Sequence, residues 1–262
     1  MEIAVCFKIT SDYDELTSSE WEQFNNMDSP DISYIRRILG CFDEAALENA
    51  LLLKNQLKAE GTDAHISGYT LNPGYSDHIL KTLPPIGIDD VFVIQAKGCF
   101  DFAPDETAHI LSDAIKTQCI PDILITGSQA PPGNSGIVPA FIANELGLPV
   151  YDQFVSLSYS QTKFHISIET PLGIDEYIPE LPFLCTAGNT EKSFLRVATL
   201  REKLKYSSWE PVHINYNTAP PAFAVSLHHK KSDRKSQMLS LSETIESLRQ
   251  SLNKASDFCK EI

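Results

Sequence analysis

The chain has 262 residues, of which 42% are hydrophobic and 21% charged, a balance typical of a globular protein and too apolar for disorder. Acidic residues number 35 against 21 lysines and arginines, and the net charge of −14 argues against general nucleic-acid binding. No apolar run approaches the length of a membrane span, and Glu2 stands where a signal peptide would carry positive charge. We therefore expect a cytoplasmic protein that does not insert into membranes.

The cysteines and histidines show no metal-binding pattern. The six cysteines are widely separated, and neither CxxC nor HExxH occurs. Zinc ribbons and thioredoxin-like redox pairs are therefore excluded, and most of the cysteines are expected to be packing residues. The sequence predicts no metal site.

Short apolar runs alternate with segments of helical spacing through the first part of the chain. One predicted helix begins at Asp43 and another at Pro104. A polar, acidic stretch follows the first run, and within it residues 17–24 form a candidate short helix. The alternation predicts βαβ units around a parallel sheet, with buried strands at residues 3–7, 64–69, 91–96 and 123–126.

The pattern changes after residue 149. Residues 150–158, 163–169 and 172–179 alternate in the manner of antiparallel strands, and residues 181–186 form another buried run. The predicted fold class is therefore α/β, a Rossmann-like parallel sheet with flanking helices and an added antiparallel strand region.

The end of the chain is predicted as an arm. The α/β domain covers residues 1–206, residues 207–239 form an extended linker, and residues 240–262 form a C-terminal docking helix. Ser240 and Glu243 have the spacing of a capping box, and an apolar stripe follows them. Such a helix packs on its own chain or on a partner.

The loop that follows the predicted strand at residues 123–126 is the strongest candidate for ligand binding. Residues 127–136 leave a buried strand and enter a predicted helix at residues 137–146. Glycines let a backbone approach a ligand closely, and a helix N-terminus offers N–H groups to an anion. The loop has neither the GxxxxGK[ST] nor the GxGxxG pattern. Nucleotide binding and a plain strand–helix turn both remain open.

A second candidate element, residues 40–44, precedes the long helix at the same predicted sheet edge. Asp43 is a natural N-cap, and Phe42 serves either as a hydrophobic staple or as a contact for a ligand ring. No GxSxG elbow occurs, and no Cys or Ser has an evident His and carboxylate arrangement. We therefore expect no autonomous catalytic residues, and redox chemistry would require a bound cofactor.

Five features in chain order carry a resemblance to one protein family. The segment Gly127-Ser128-Gln129-Ala130 fits a family pattern Gly-x-Gln-Ala, and Phe42-Asp43-Glu44 fits an aromatic–acid–acid pattern before an Ala- and Leu-rich helix. The others are a first strand ending in Lys8, the strand at residues 181–184 and the segment at residues 196–200. Over about residues 1–206 the chain resembles the β subunit of electron-transfer flavoproteins, as a divergent member.

The resemblance implies a heterodimer with an α subunit that holds most of the FAD. In this family the β subunit usually binds AMP, or a second FAD in electron-bifurcating relatives. Phe42 would face the flavin of the α subunit. Carried over by position, the cofactor-binding residues are Cys6, Gly40, Cys41, Phe42, Asp43, Gly127, Ser128, Gln129, Ala130, Asn134, Ser135 and Gly136.

Two departures from the family pattern concern the nucleotide. Gly40-Cys41 replaces Asn-Pro, and Pro131-Pro132 removes two backbone donors from the loop, one at the place of the family Asp. AMP, FAD and an empty site all remain open.

The implied function is electron transfer from a dehydrogenase, of acyl-CoA type or another, to an acceptor. The alternatives are an adenine-nucleotide-binding module and a ligand-free scaffold subunit.

Overall fold

The structure, a computed structural model, describes residues 1–20, 33–74, 76–98 and 100–217, together with residues 240, 244–246 and 249. The helices in chain order are α1 (Cys41–Ala59), α2 (Asp77–Leu80), α3 (Leu83–Ile86), α4 (Pro104–Gln118), α5 (Val138–Leu146) and α6 (Leu200–Lys205). The strands are β1 (Glu2–Cys6), β2 (Ile9–Ser11), β3 (Arg37–Leu39), β4 (His65–Leu71), β5 (Asp90–Ala96), β6 (Ile123–Gly127), β7 (Val150–Ser160), β8 (Lys163–Thr170), β9 (Gly173–Tyr177), β10 (Phe183–Ala187) and β11 (Val212–Tyr216).

A mixed sheet runs through the described part of the chain in the order β11-β5-β4-β1-β6-β10-β7-β8-β9. Every neighbouring pair from β11 to β7 is parallel, whereas β8 pairs antiparallel with both β7 and β9. The predicted α/β class, with its added antiparallel strands, is confirmed.

Helices cover both faces of the parallel strands, because each face is apolar. Leu47, Leu53 and Leu57 of α1 are fully buried in one core, and each contributes about 1.5–3 kcal/mol of burial free energy. A second core on the other face contains Ile115 of α4 and Ile142 of α5. The two cores meet at the sheet.

The chain reverses its direction of winding beside β1. It passes from β1 to β4 and β5 on one side, and then returns to place β6 and β10 on the other side. In open parallel sheets, ligands bind beyond the carboxyl ends of the strands at such a switch point. The gap between the ends of β1 and β6 is therefore the expected place for a site.

A small antiparallel ribbon, β2–β3, lies outside the main sheet. Its register pairs Ile9 with Leu39 and Ser11 with Arg37. Ile9 is buried in the same core as α1, so the ribbon belongs to the α1 face. Residues 18–20 are helical, and the rest of the helix predicted at residues 17–24 lies outside the described residues.

The regular structure continues past residue 206, the predicted end of the first domain. Within the predicted linker, β11 adds a parallel edge strand beside β5. Residues 244–246 and 249 are helical, and the remainder of the predicted C-terminal helix lies outside the described residues. None of the helices described is long and apolar enough to span a bilayer.

Candidate functional site

A cleft of about 380 Å³ opens at the carboxyl edge of the sheet, at the switch point. The ends of β1, β4 and β6 form its floor, and the first residues of α4 and α5 form part of its wall. Its volume falls in the range of small-molecule sites.

The cleft gathers most of the predicted cofactor-binding residues, although their binding role stays a prediction. Those that line it are Cys6, Asp43, Gly127, Ser128, Gln129, Ala130, Ser135 and Gly136. Four others are not among its lining residues, namely Gly40, Cys41, Phe42 and Asn134. Gly40 and Asn134 lie near the cleft and shape it through backbone hydrogen bonds, as described below.

The first turn of α1 differs from the prediction. The Gly40 carbonyl accepts the first helical hydrogen bond, from the Glu44 N–H at 2.9 Å, so Gly40 is the N-cap residue. Asp43 is then the third helical residue and not the cap, and Phe42 lies inside the helix and not at the position of a staple. The N-cap prediction for Asp43 and the staple alternative for Phe42 were wrong because the helix begins earlier than Asp43.

Asp43 is a buried acid with an unsatisfied oxygen. Asp43 is 4% exposed, and its Oδ2 has no hydrogen-bond partner within the described residues. Burial raises the pKa of Asp43 to about 7, although the backbone N–H and the charge of Lys8 oppose this. Near neutral pH the carboxyl can therefore donate or accept a hydrogen bond toward the cleft.

Cys6 lies beside Asp43, and its thiol is unreactive. Burial, and the nearby Asp43, raise the pKa of the Cys6 thiol to about 12. At physiological pH the sulfur is therefore protonated, whereas nucleophilic and metal-binding chemistry both require the thiolate. Cys6 can contribute shape to the cleft and not reactivity.

Gly127 is required by close packing between β6 and α1. A Cβ at this position would lie 3.0 Å from Asp43 Oδ1 and 3.1 Å from the Asp43 nitrogen and the Phe42 carbonyl carbon. The absence of a side chain therefore lets the end of β6 touch the first turn of α1. This contact places Asp43 against the 127–136 loop.

The 127–136 loop has a backbone shape that leaves N–H groups free. Asn134 and Gly136 have positive φ angles of 47° and 65°, and Asn134 N–H donates to the Ala130 carbonyl at 3.2 Å. The N–H groups of Ser135, Gly136 and Val138 meet no acceptor in the part of the chain described. Because they precede or begin α5, they are donors of the kind that helix N-termini offer to anions.

Several cleft residues were missed by sequence reasoning. Among them are Lys8, which pairs with Asp101 at 2.7 Å, and Ser11, Arg37 and Phe100. Lys8 ended a motif that was recognised, so its place beside the cleft could have been inferred. Ser11 and Arg37 lie on short strands within or next to a polar stretch that carries no motif.

The electron transfer flavoprotein domain family matches residues 34–190, which is more than half of the chain. The chain belongs to the electron transfer flavoprotein family. This confirms the resemblance seen in the sequence, and the match includes both α1 and the 127–136 loop.

Individual members of the electron transfer flavoprotein family are distant. An Escherichia coli protein provisionally named electron transfer flavoprotein subunit YgcR is 25% identical over 223 residues, covering 85% of this chain and 84% of that protein. The subunit beta of Megasphaera elsdenii is 27% identical over 197 residues, covering 71% and 68%. The match to the subunit beta of Mycobacterium leprae, 25% identical, spans about half of each chain, 52% in both cases. This chain is a divergent member.

A second feature of this electron transfer flavoprotein chain is an exposed apolar surface. Phe194 and Val197 are each 83% exposed, and Leu200 is 74% exposed. They lie on or beside the 188–199 loop, whose Arg196 is bound to Glu48 of α1. Apolar side chains presented on an anchored loop are suited to contact with another protein.

A cluster on the helical face lies apart from the cleft. Nδ1 of His109 is 3.3 Å from Glu145 Oε1, and its Nε2 is 3.6 Å from Asp113 Oδ2, which also accepts a bond from Tyr216 at 2.8 Å. The ring therefore joins α4 to α5, with β11 attached through Tyr216.

Proposed function

We propose that this chain is the β-type subunit of an electron transfer flavoprotein. It carries electrons from a dehydrogenase, of acyl-CoA type or another, to an acceptor, through FAD held mainly by a partner α subunit. The observation that carries the proposal is the cleft at the switch point, which combines free N–H groups at α5 with the unsatisfied acid Asp43. The names of the relatives support the β assignment.

The cleft fits an adenine nucleotide such as AMP. The N–H groups of Ser135, Gly136 and Val138 would hold a phosphate, and Asp43 would accept a bond from a hydroxyl or amino group of the ligand. Gln129 is exposed at the cleft and adds an amide donor and acceptor. The remaining predicted positions contribute shape.

FAD, when bound in the complex, supplies the electron acceptance and release that side chains lack. This chain would contribute a wall beside it. Phe42 is half-buried in the first turn of α1 at the carboxyl edge of the sheet, which supports its assignment to that wall. The subunit is proposed to act as an electron carrier without autonomous catalytic residues.

Two partners are proposed, each with its own surface. The α subunit would form the heterodimer, with the segment at residues 240–262 as a docking helix. The dehydrogenase would contact the exposed apolar residues Phe194, Val197 and Leu200. The assembly is proposed to work in the cytoplasm.

The test is co-expression of this chain with its α-type gene neighbour, followed by purification and denaturation. The expected result is a yellow heterodimer that releases FAD and one adenine nucleotide, identified by chromatography. A tight but colourless complex would replace the proposal with a scaffold subunit. Adenosine nucleotide bound by this chain alone, without flavin or partner, would replace it with a nucleotide-binding module.

A further inference from the structure

The β2–β3 ribbon presents two polar side chains to the cleft together. Ser11 and Arg37 are directly paired in the antiparallel register, and both line the cleft. Side chains of directly paired residues point to the same side of an antiparallel ribbon. The hydroxyl and the guanidinium therefore form one local group.

Neither side chain has a partner within the described residues. Ser11 is 2% exposed and its Oγ makes no hydrogen bond, and Arg37 forms no ion pair or side-chain hydrogen bond there. The neighbouring Arg36 behaves differently, since its guanidinium lies 2.7 Å from Asp12 and 3.5 Å from Glu15. Buried hydroxyls are almost always hydrogen-bonded, so the unsatisfied Ser11 Oγ, in a residue that lines the cleft, is a candidate contact for a ligand there.

Charge makes this group selective for anions. The chain has a net charge of −14, yet Arg37 places at the cleft a cation that forms no ion pair with any described side chain. The other cation there, Lys8, is already neutralised by Asp101 at 2.7 Å. Guanidinium and hydroxyl donors on one side of a cleft bind phosphate oxygens well.

This group is separate from the anion-binding end of α5. The ribbon packs with α1 on one face of the sheet, whereas α5 packs with α4 on the other. The two sets of donors therefore belong to elements on opposite faces of the sheet. A nucleotide with a single phosphate would satisfy only one set.

We propose that Ser11 and Arg37 form a subsite for a second phosphate group, so that the cleft prefers a nucleoside diphosphate over the monophosphate. This rests on the proposed function, in that the cleft holds an adenine nucleotide. The α5 N–H groups hold one phosphate and the ribbon holds the next.

The test is calorimetric titration of the full-length chain, in its heterodimer, with AMP and with ADP. We expect ADP to bind about 10-fold more tightly than AMP, the range of one charge-assisted contact. Arg37→Gln should abolish this preference, mainly by weakening ADP, and Arg37→Lys should keep part of it. Arg36→Gln, with the same change in charge, should leave the ADP/AMP ratio unchanged.

The Ser11→Ala variant tests whether ligand binding changes without a change in fold stability. Because Ser11 Oγ has no partner among the residues that the structure describes, its removal should not lower the melting temperature, while ADP affinity falls several-fold. Equal affinities of AMP and ADP in the parent would overturn the subsite, as would equal losses in Arg37→Gln and Arg36→Gln. A yellow heterodimer that holds AMP without preferring ADP overturns the subsite alone. A complex without flavin or nucleotide overturns the proposed function as well.

Discussion

Glu48 and Arg196 form a two-point ion pair that fastens the 188–199 loop to α1. Arg196 Nη2 donates to Glu48 Oε1 at 2.7 Å, Nε donates to Oε2 at 3.0 Å, and the Arg196 backbone N–H donates to the same Oε2 at 3.0 Å. Glu48 is nearly buried, whereas the Arg196 side chain is 33% exposed. One carboxylate therefore fixes both the side chain and the backbone of the loop, in the geometry that makes such pairs strong.

Removal of this pair is expected to loosen the loop. Arg196→Ala leaves the Glu48 carboxylate nearly buried without its counter-ion, and we expect a loss of about 1–3 kcal/mol of unfolding free energy. Urea denaturation measures the loss, and limited proteolysis should cut at residues 188–199. Lys81→Ala is the control, because its pair with Glu210 is exposed and should contribute about 0–1 kcal/mol. Equal losses in the two variants would contradict the anchoring role.

The exposed apolar surface should be needed for docking and not for folding. Phe194 is 83% exposed, so Phe194→Ala should change the unfolding free energy by less than about 0.5 kcal/mol. We expect electron transfer from the dehydrogenase to fall about 10-fold in kcat/KM, as for an interface anchor. Ile120→Ala, which truncates another exposed apolar residue outside the loop, is the matched control. Normal kinetics in the Phe194 variant would remove this surface from the interface.

Asp43 should make the fold less stable as the pH rises. Burial raises its pKa from 3.8 to about 7, so between these values the folded chain holds a proton that the unfolded chain has released. The contribution of this group to stability is therefore full below about pH 4, falls as the pH rises towards 7, and is lost above it. Asp43→Asn should reduce the stability difference between pH 5 and pH 8 by about 2–3 kcal/mol in denaturation experiments. Asp63→Asn, at an exposed position, should leave that difference as it is.

Substitutions at Gly127 and Gln129, in the same loop, should have different effects, one on packing and the other on ligand binding. A Cβ at Gly127 meets the first turn of α1 at 3.0–3.1 Å, so Gly127→Ala should cost about 1–3 kcal/mol of stability. Gln129 is exposed at the cleft, and Gln129→Ala should weaken AMP binding while the melting temperature stays unchanged. Thermal melts and AMP titration of both variants measure this. Unaltered melting of the Gly127 variant would show that the contact can relax.

Phe42 has two remaining interpretations, now that a staple is excluded. If it contacts the flavin of the α subunit, Phe42→Ala should shift the absorbance bands or the reduction potential of the bound FAD. If it only packs on the start of α1, the variant should lose about 1–3 kcal/mol of stability with an unchanged flavin spectrum. Phe141→Ala on α5, also partly exposed, is the control for general effects of losing an aromatic ring.

Local pattern was enough to predict the elements that present the site. Ala46, Ala50, Leu53 and Leu57 recur at helical spacing and predicted α1, and the apolar run at residues 123–126 predicted β6. The 127–136 loop follows directly, because a strand, a glycine-containing turn and a helix are contiguous in the chain. The N-cap of α1 was misplaced because Gly40, which caps it without a side chain, carries no polar signal.

The sequence alone determined the Rossmann-like class, the family resemblance and the loop that leads into α5. These features depend on short-range periodicity and on motifs that follow one another in order. Only the tertiary structure brought Ser11 and Arg37 into register, seated Asp43 against Gly127, and bound Arg196 to Glu48. Such pairs are far apart along the chain, and their energies come from burial and from the geometry of two side chains at once. Both burial and this geometry are defined only in the folded chain, where the sheet brings the two residues of each pair together.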